Sequence, residues 1–153
     1  MPITEGDLRA CCASRTWIAA MRGRDVAELR AASAAALDGL DWADVEEALA
    51  AHPRIGDRVR GDDRESAWSR GEQSGMDAAA AGLRDALIAG NRAYEERFGH
   101  VFLICATGLS AAEMLAALRE RLGNDPETER AVVRAELARI VDLRLAKLTK
   151  EAT

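Results

Sequence analysis

An all-α domain is the fold class this sequence predicts, on three observations. The 153 residues include 32 alanines and 16 leucines against 13 valines and isoleucines together, and only 3 prolines. Alanine and leucine lose little freedom in a helix, whereas β-branched side chains fit strands better. Apolar residues recur at three- and four-residue spacing, and glycines, acidic or hydroxyl caps and prolines punctuate the pattern where helices would begin and end. With no internal repeat or low-complexity linker, residues 1–153 read as one domain, a helical bundle of about six to eight helices. A chain of this length buries a core without disulfides or a structural metal.

The elements follow in order. Leu8, Cys12, Ile18 and Met21 outline a first helix from about Glu5 to Arg22, ended near Gly23. Asp25 is placed to cap a second, through Leu29, Ala32, Ala36 and Leu37 to Gly39. Asp41 is placed to cap a short third helix through Trp42, Val45 and Leu49, ending at His52 because Pro53 disfavours helical geometry in the residue before it. Residues 53 to about 64 read as loop. A long helix is expected from Asp77 to Phe98, followed by an apolar run, His100 to Ala106, too short for a typical helix and read as extended or a buried connector. Ser110 with Glu113 forms a capping-box signature for the next helix, through Met114, Leu115, Leu118 and Leu122. Asp125 as cap and Pro126 at the first helical position open the last.

Charge and composition exclude several function classes. A net charge of −5 argues against a general nucleic-acid or anionic-membrane binder, which needs a clustered basic face. No apolar run approaches the roughly 20 residues that span a bilayer. The N-terminus lacks the pattern of a secretion signal, and Cys11, Cys12 and Cys105 are odd in number with two adjacent, so a reducing cytoplasm is the expected compartment. The three cysteines read as small buried hydrophobes.

Four places depart from what a helical bundle requires. His52, at a helix C-terminus before Pro53, is either a capping imidazole or a proton-transfer group. Ser69, Glu72 and Gln73 would share one helical face and could converge on a small polar ligand; the alternative is capping, with Ser69 as N-cap and Glu72 as its box partner. Ile104-Cys105-Ala106-Thr107-Gly108 runs into the Ser110 helix, where backbone donors are open to an anion or carbonyl. Arg144 falls within the apolar stripe Val133, Leu137, Ile140, Val141 and Leu148, so its guanidinium requires an internal acceptor or a bound anionic substrate. Two histidines, with no Cys-x-x-Cys or His-x-x-x-His, leave no zinc site, and no nucleotide-cofactor or serine-hydrolase motif occurs. The arginines and acids between His52 and Arg70 read as a solvated mixed-charge surface.

In order and spacing, His52-Pro53 with Gly56, Ser69-x-x-Glu72-Gln73, Phe98-Gly99 with Phe102 to Gly108, Leu118-x-x-Arg121-x-x-Asn124 and the basic C-terminal helix resemble the 2-oxo-4-hydroxy-4-carboxy-5-ureidoimidazoline (OHCU) decarboxylase family. The resemblance runs from about Trp17 to Leu148 and departs at Val101, where members often carry proline. It implies an all-α fold, usually a homodimer, working without metal or organic cofactor on the last step from urate to (S)-allantoin. It also implies that His52 is the catalytic histidine, that Pro53, Ser69, Glu72 and Gln73 are site residues, and that Ile104 to Gly108 contact the substrate. On this reading Glu72 holds the imidazole or a ureido N–H, Ser69 and Gln73 fix the ring, amides near Thr107 and Gly108 bind carbonyl oxygens, and Arg144 lies near the carboxylate. His100 is left structural or peripheral. The alternatives are a non-catalytic helical module that binds partner helices, and a decarboxylase of a related ureido heterocycle.

Overall fold

The computed structural model describes residues 3–55, 64–76 and 81–152. Among them there are eight α-helices and no strand, as the composition requires. The chain groups into two compact units, residues 1–51 with 134–153, and residues 52–133.

The first unit contains α1 (Glu5–Cys11), α2 (Arg15–Met21), a 3-10 turn (Val26–Glu28), α3 (Leu29–Asp38), α4 (Trp42–Leu49) and most of α8 (Pro126–Ala152). The single N-terminal helix expected from Glu5 to Arg22 is two. Cys12 is extended, and the Ser14 hydroxyl accepts the Trp17 N–H at 3.2 Å, starting a new helix. A local side-chain cap thus overrides an apolar pattern that reads as continuous. Thr4 and Asp7 form a reciprocal capping box on α1, which the sequence reading missed. The side chains of Asp25 and Asp41 make no capping bond, contrary to expectation. At α4 the Asp41 carbonyl accepts the Asp44 and Val45 N–H groups instead, and the helix stops at Leu49, short of His52. Buried Trp17 donates its indole N–H to Ser33 at 3.0 Å, which satisfies both polar atoms inside the α2–α3 contact.

Along α8 the predicted stripe is buried, with Arg144 in it at 1% exposure, and Arg144 Nη1 donates to the Ala10 carbonyl at 3.0 Å. Arg30 makes two 2.7 Å bonds to Asp142 on the surface, which hold that carboxyl below its usual range; ion pairs this exposed contribute little stability. No described helix is long and apolar enough to cross a membrane.

The second unit contains α5 (Arg64–Glu72), a 3-10 turn (Ser74–Met76), α6 (Ala81–Phe98), α7 (Ala111–Arg121) and the start of α8. The loop expected over 53–64 and the helix start expected at Asp77 lie partly outside the described residues, which resume at 64 and 81. Its core gathers Ile55, Leu87, Tyr94, Phe102, Ile104, Ala106, Ala111, Met114, Leu115 and Leu118. The apolar run from Val101 to Ala106 is the irregular buried connector allowed for in the sequence. Ser110 and Glu113 close the capping box on α7 with bonds of 3.0 and 3.1 Å. The Asp125 carboxylate accepts from Thr128, capping α8 as expected.

Gly90 lets α6 approach α7, because a Cβ there would stand 2.4 Å from Leu118 Cδ2. Leu118 is fully buried and has little room to give. Gly90→Ala is expected to destabilise the protein by about 1–3 kcal/mol in chemical denaturation, despite alanine's better helix propensity.

Acid sensitivity follows from the depressed carboxylates. Bonds from Arg15 lower Glu47, bonds from Ser110 lower Glu113, bonds from Thr128 lower Asp125, and bonds from Arg30 lower Asp142. Each is more acidic folded than unfolded, so its contribution is complete above the unfolded value and lost as pH falls through the folded one. The melting temperature is expected to be flat near neutrality and to fall below about pH 4. At the other extreme, burial and Glu129 push the Tyr94 phenol up, so stability also falls above about pH 10, where the unfolded tyrosine ionises first.

Candidate active site

Three of the segments singled out in the sequence meet in the second unit. The first is the turn His52-Pro53-Arg54-Ile55. Its last carbonyl accepts from Asn91 Nδ2 on α6 at 2.7 Å, and Arg54 Nε bonds the Glu95 carboxylate at 2.9 Å one turn further along. Ile55 is buried in the same apolar cluster as Ile104 and Ala106. His52 and Pro53 are left half-buried at the start of this anchored turn.

The second segment carries Ser69, Glu72 and Gln73. The capping alternative fails here: α5 runs from Arg64 to Glu72, so Ser69 lies inside the helix and its carbonyl accepts the Gln73 N–H at 3.1 Å. Ser69 is buried while Glu72 and Gln73 are half-buried at the helix end. The turn that follows them touches the chain just after the third segment. A Cβ on Gly75 would stand 2.1 Å from the Leu109 carbonyl oxygen and 3.3 Å from Ser110 Cα, so the two backbones touch with no room for any side chain. Only glycine permits that approach.

The third segment is the connector. Ile104 and Ala106 point into the core, Cys105 is half-buried, and Thr107 and Gly108 are exposed. The Leu109 N–H returns to the Ala106 carbonyl at 3.0 Å across a turn that needs Gly108 at φ 80°. Among the described residues, neither the Thr107 nor the Gly108 amide enters a backbone hydrogen bond. Two donors beside a helix start suit a carbonyl or carboxylate oxygen.

Arg144 lies in the first unit. His100 stacks on Phe98 with ring centres 6.3 Å apart and turns its edge to Tyr94, a packing role in keeping with its peripheral reading. Asn91 and Glu129 were missed in the sequence, although each sits where an apolar stripe continues. Asn91 lies between Leu87 and Tyr94, and Glu129 one turn before Val133; all are buried. Gly75 gave no sequence signal, since its role is a contact with a distant backbone. No group of three or more potential metal ligands occurs among the described residues.

Comparison with known proteins matches residues 5–146 to the family described as OHCU decarboxylase. The chain is 37% identical over 120 residues to the 2-oxo-4-hydroxy-4-carboxy-5-ureidoimidazoline decarboxylase of Amia calva, covering 77% of this chain and 69% of that one. It is 32% identical over 156 residues to the uric acid degradation bifunctional protein TTL of Arabidopsis thaliana, covering 97% of this chain but 48% of the relative, so it spans about half that protein's length. A crystal structure of OHCU decarboxylase in the presence of (S)-allantoin superposes with a TM-score of 0.83 at 30% identity, covering 96% of this chain and 99% of that one. A structure of (S)-allantoin synthase shares the fold, with a TM-score of 0.68 at 19% identity, covering 94% of this chain and 48% of that one. A match across nearly the whole chain, to sequence and fold alike, means that this chain belongs to the OHCU decarboxylase family.

Proposed function

We propose that this protein decarboxylates OHCU to (S)-allantoin and CO2, the last step from urate to allantoin. The observation that carries the reading is the convergence of the connector with the Ser69–Gln73 segment, through Gly75, and with the His52 turn, through the cluster holding Ile55.

The substrate's own structure sets what the protein must do. The carbon that bears the carboxylate also bears a hydroxyl and adjoins a C=N bond. As CO2 leaves, its bonding pair forms a C=C bond and the C=N pair moves to nitrogen, which takes a proton. The hydroxyl then gives up its proton as its carbon becomes a carbonyl, and a proton returns to the ureido-bearing carbon. The face of that return fixes the (S) configuration. His52 moves the hydroxyl or imine proton, and Glu72 orients the imidazole or a ureido N–H. Ser69 and Gln73 hold the ring, and Pro53 shapes the wall beside His52. Ile104, Cys105 and Ala106 supply the apolar side of the pocket, and the amides of Thr107 and Gly108 bind carbonyl oxygens. Arg144, buried with Nη1 on the Ala10 carbonyl, either holds α8 in place or offers its guanidinium to the carboxylate.

A homodimer in the cytoplasm is the state proposed for the working enzyme; none of the three cysteines is in a disulfide, in keeping with a reducing compartment. The test is to mix freshly generated OHCU with the protein and follow substrate loss against buffer. Decay well above the spontaneous rate is expected, with CO2 released in equal amount. Decay at the buffer rate would leave the helical binding module or a different ureido heterocycle as the better reading.

A further inference from the structure

Outside the proposed site, four buried or half-buried polar side chains converge on the connector. Arg121, at the end of α7, sends Nε and Nη2 to Glu129 Oε2 at 2.9 and 2.6 Å, and Nη1 to the Leu103 carbonyl at 2.8 Å. Its guanidinium lies 4.5 Å from the centre of the Phe102 ring. Glu129 is fully buried; its Oε2 also accepts the Tyr94 hydroxyl, and its Oε1 accepts Asn124 Nδ2 at 3.1 Å. The arginine is therefore fixed by a carboxylate that is itself fixed from two more sides. Its third nitrogen, Nη1, holds the carbonyl of the residue just before Ile104.

Stability alone does not explain this arrangement. A buried ion pair roughly breaks even against apolar side chains of the same volume, whereas a rigid guanidinium fork sets a direction that apolar packing cannot. The network also shares α6 with the His52 turn, since Asn91 holds Ile55 and Tyr94, three residues on, holds Glu129. One helix thus registers both the turn that carries His52 and the segment that carries the connector amides. We propose that Arg121, oriented by Glu129, is a positioning residue that holds Ile104 to Gly108 in the conformation that receives the substrate. For its kinetic consequence the inference rests on the proposed function.

Three variants test it. Arg121→Met removes the donor to Leu103, Tyr94→Phe weakens the same network while leaving that donor in place, and Arg121→Lys keeps a charge for Glu129 but lacks the fork. The measurements are melting temperature, backbone NMR order parameters at residues 104–108, and kcat and KM for OHCU well below the melting transition. In wild type and Tyr94→Phe those order parameters are expected near 0.85, against below about 0.6 in Arg121→Met. For Arg121→Met, kcat is expected to fall about tenfold or more, with KM changed by less than about threefold, because lost geometry affects the reacting arrangement more than binding. Arg121→Lys is expected to fall between, and carries the test if the methionine variant does not fold. Tyr94→Phe is expected to lose stability while keeping kcat within about twofold of wild type. Unchanged order at 104–108 in the Arg121 variants, or kcat that simply tracks melting temperature across all three, would overturn the proposal. If wild type leaves OHCU untouched, the proposed function falls, and the order parameters still decide the positioning role.

Discussion

Replacing His52 with alanine is expected to lower the rate of OHCU turnover by about 10²–10⁴-fold while leaving the fold intact. The range is that of a positioned proton-transfer group, and the small structural cost follows from where the residue sits. His52 is half-buried, and its turn is anchored at the Ile55 carbonyl and the Arg54 guanidinium. The stability change is expected to stay within about 1 kcal/mol. Initial rates with fresh substrate, beside a thermal melt of the same sample, separate the two quantities. A variant that melts normally and turns over at the wild-type rate would leave His52 with a capping role only.

Gly75→Ala has the next largest expected effect, and it tests the geometry rather than the chemistry. The added methyl would have to occupy the position of the Leu109 carbonyl, 2.1 Å away, and no side-chain rotation relieves a clash with backbone. The turn after α5 must move away from the connector, taking Gln73 and Glu72 with it. Overpacking of this kind costs about 1–3 kcal/mol. A displacement near 1 Å is expected to lower kcat/KM by about 10²-fold. Gly71→Ala is the control, because a Cβ there meets nothing within 4 Å. It is expected to keep both stability and activity, and loss of activity in the Gly71 variant equal to that at Gly75 would count against the contact.

Much of the fold was legible because it depends on residues close in sequence. The Ser110–Glu113 box, the Asp125 cap with Pro126, and the buried stripe of α8 with Arg144 inside it all stand as read. Errors arose where two local interactions competed. At Cys12 to Ser14 a hydroxyl cap broke a helix that the apolar spacing alone would have continued. Ser69 carries the residue types of an N-cap, yet α5 had begun at Arg64, and nothing in the five residues from Ser69 to Gln73 reveals that.

The candidate segments were legible one by one and their assembly was not. Residue types singled out His52, Ser69, Glu72, Gln73 and the connector, with capping as the alternative for His52 and for Ser69 with Glu72. What joins them is non-local: the Asn91 amide on the Ile55 carbonyl, and a glycine whose missing side chain lets two backbones meet. Asn91 and Glu129 were recoverable in principle, since a polar residue in an apolar stripe carries the same warning that drew attention to Arg144. The glycine was not, because its partner lies more than thirty residues away.

Under the proposed function, this site controls both the loss of CO2 and the face on which the proton returns. Circular dichroism of the product, followed in real time from freshly generated OHCU, tests both at once. Wild type is expected to give the spectrum of (S)-allantoin, rising at the rate of substrate loss, and His52→Ala and Glu72→Gln to give the signal far more slowly. An optically silent product formed at the spontaneous rate, or an (S)-allantoin signal of equal rate in both variants, would contradict the account.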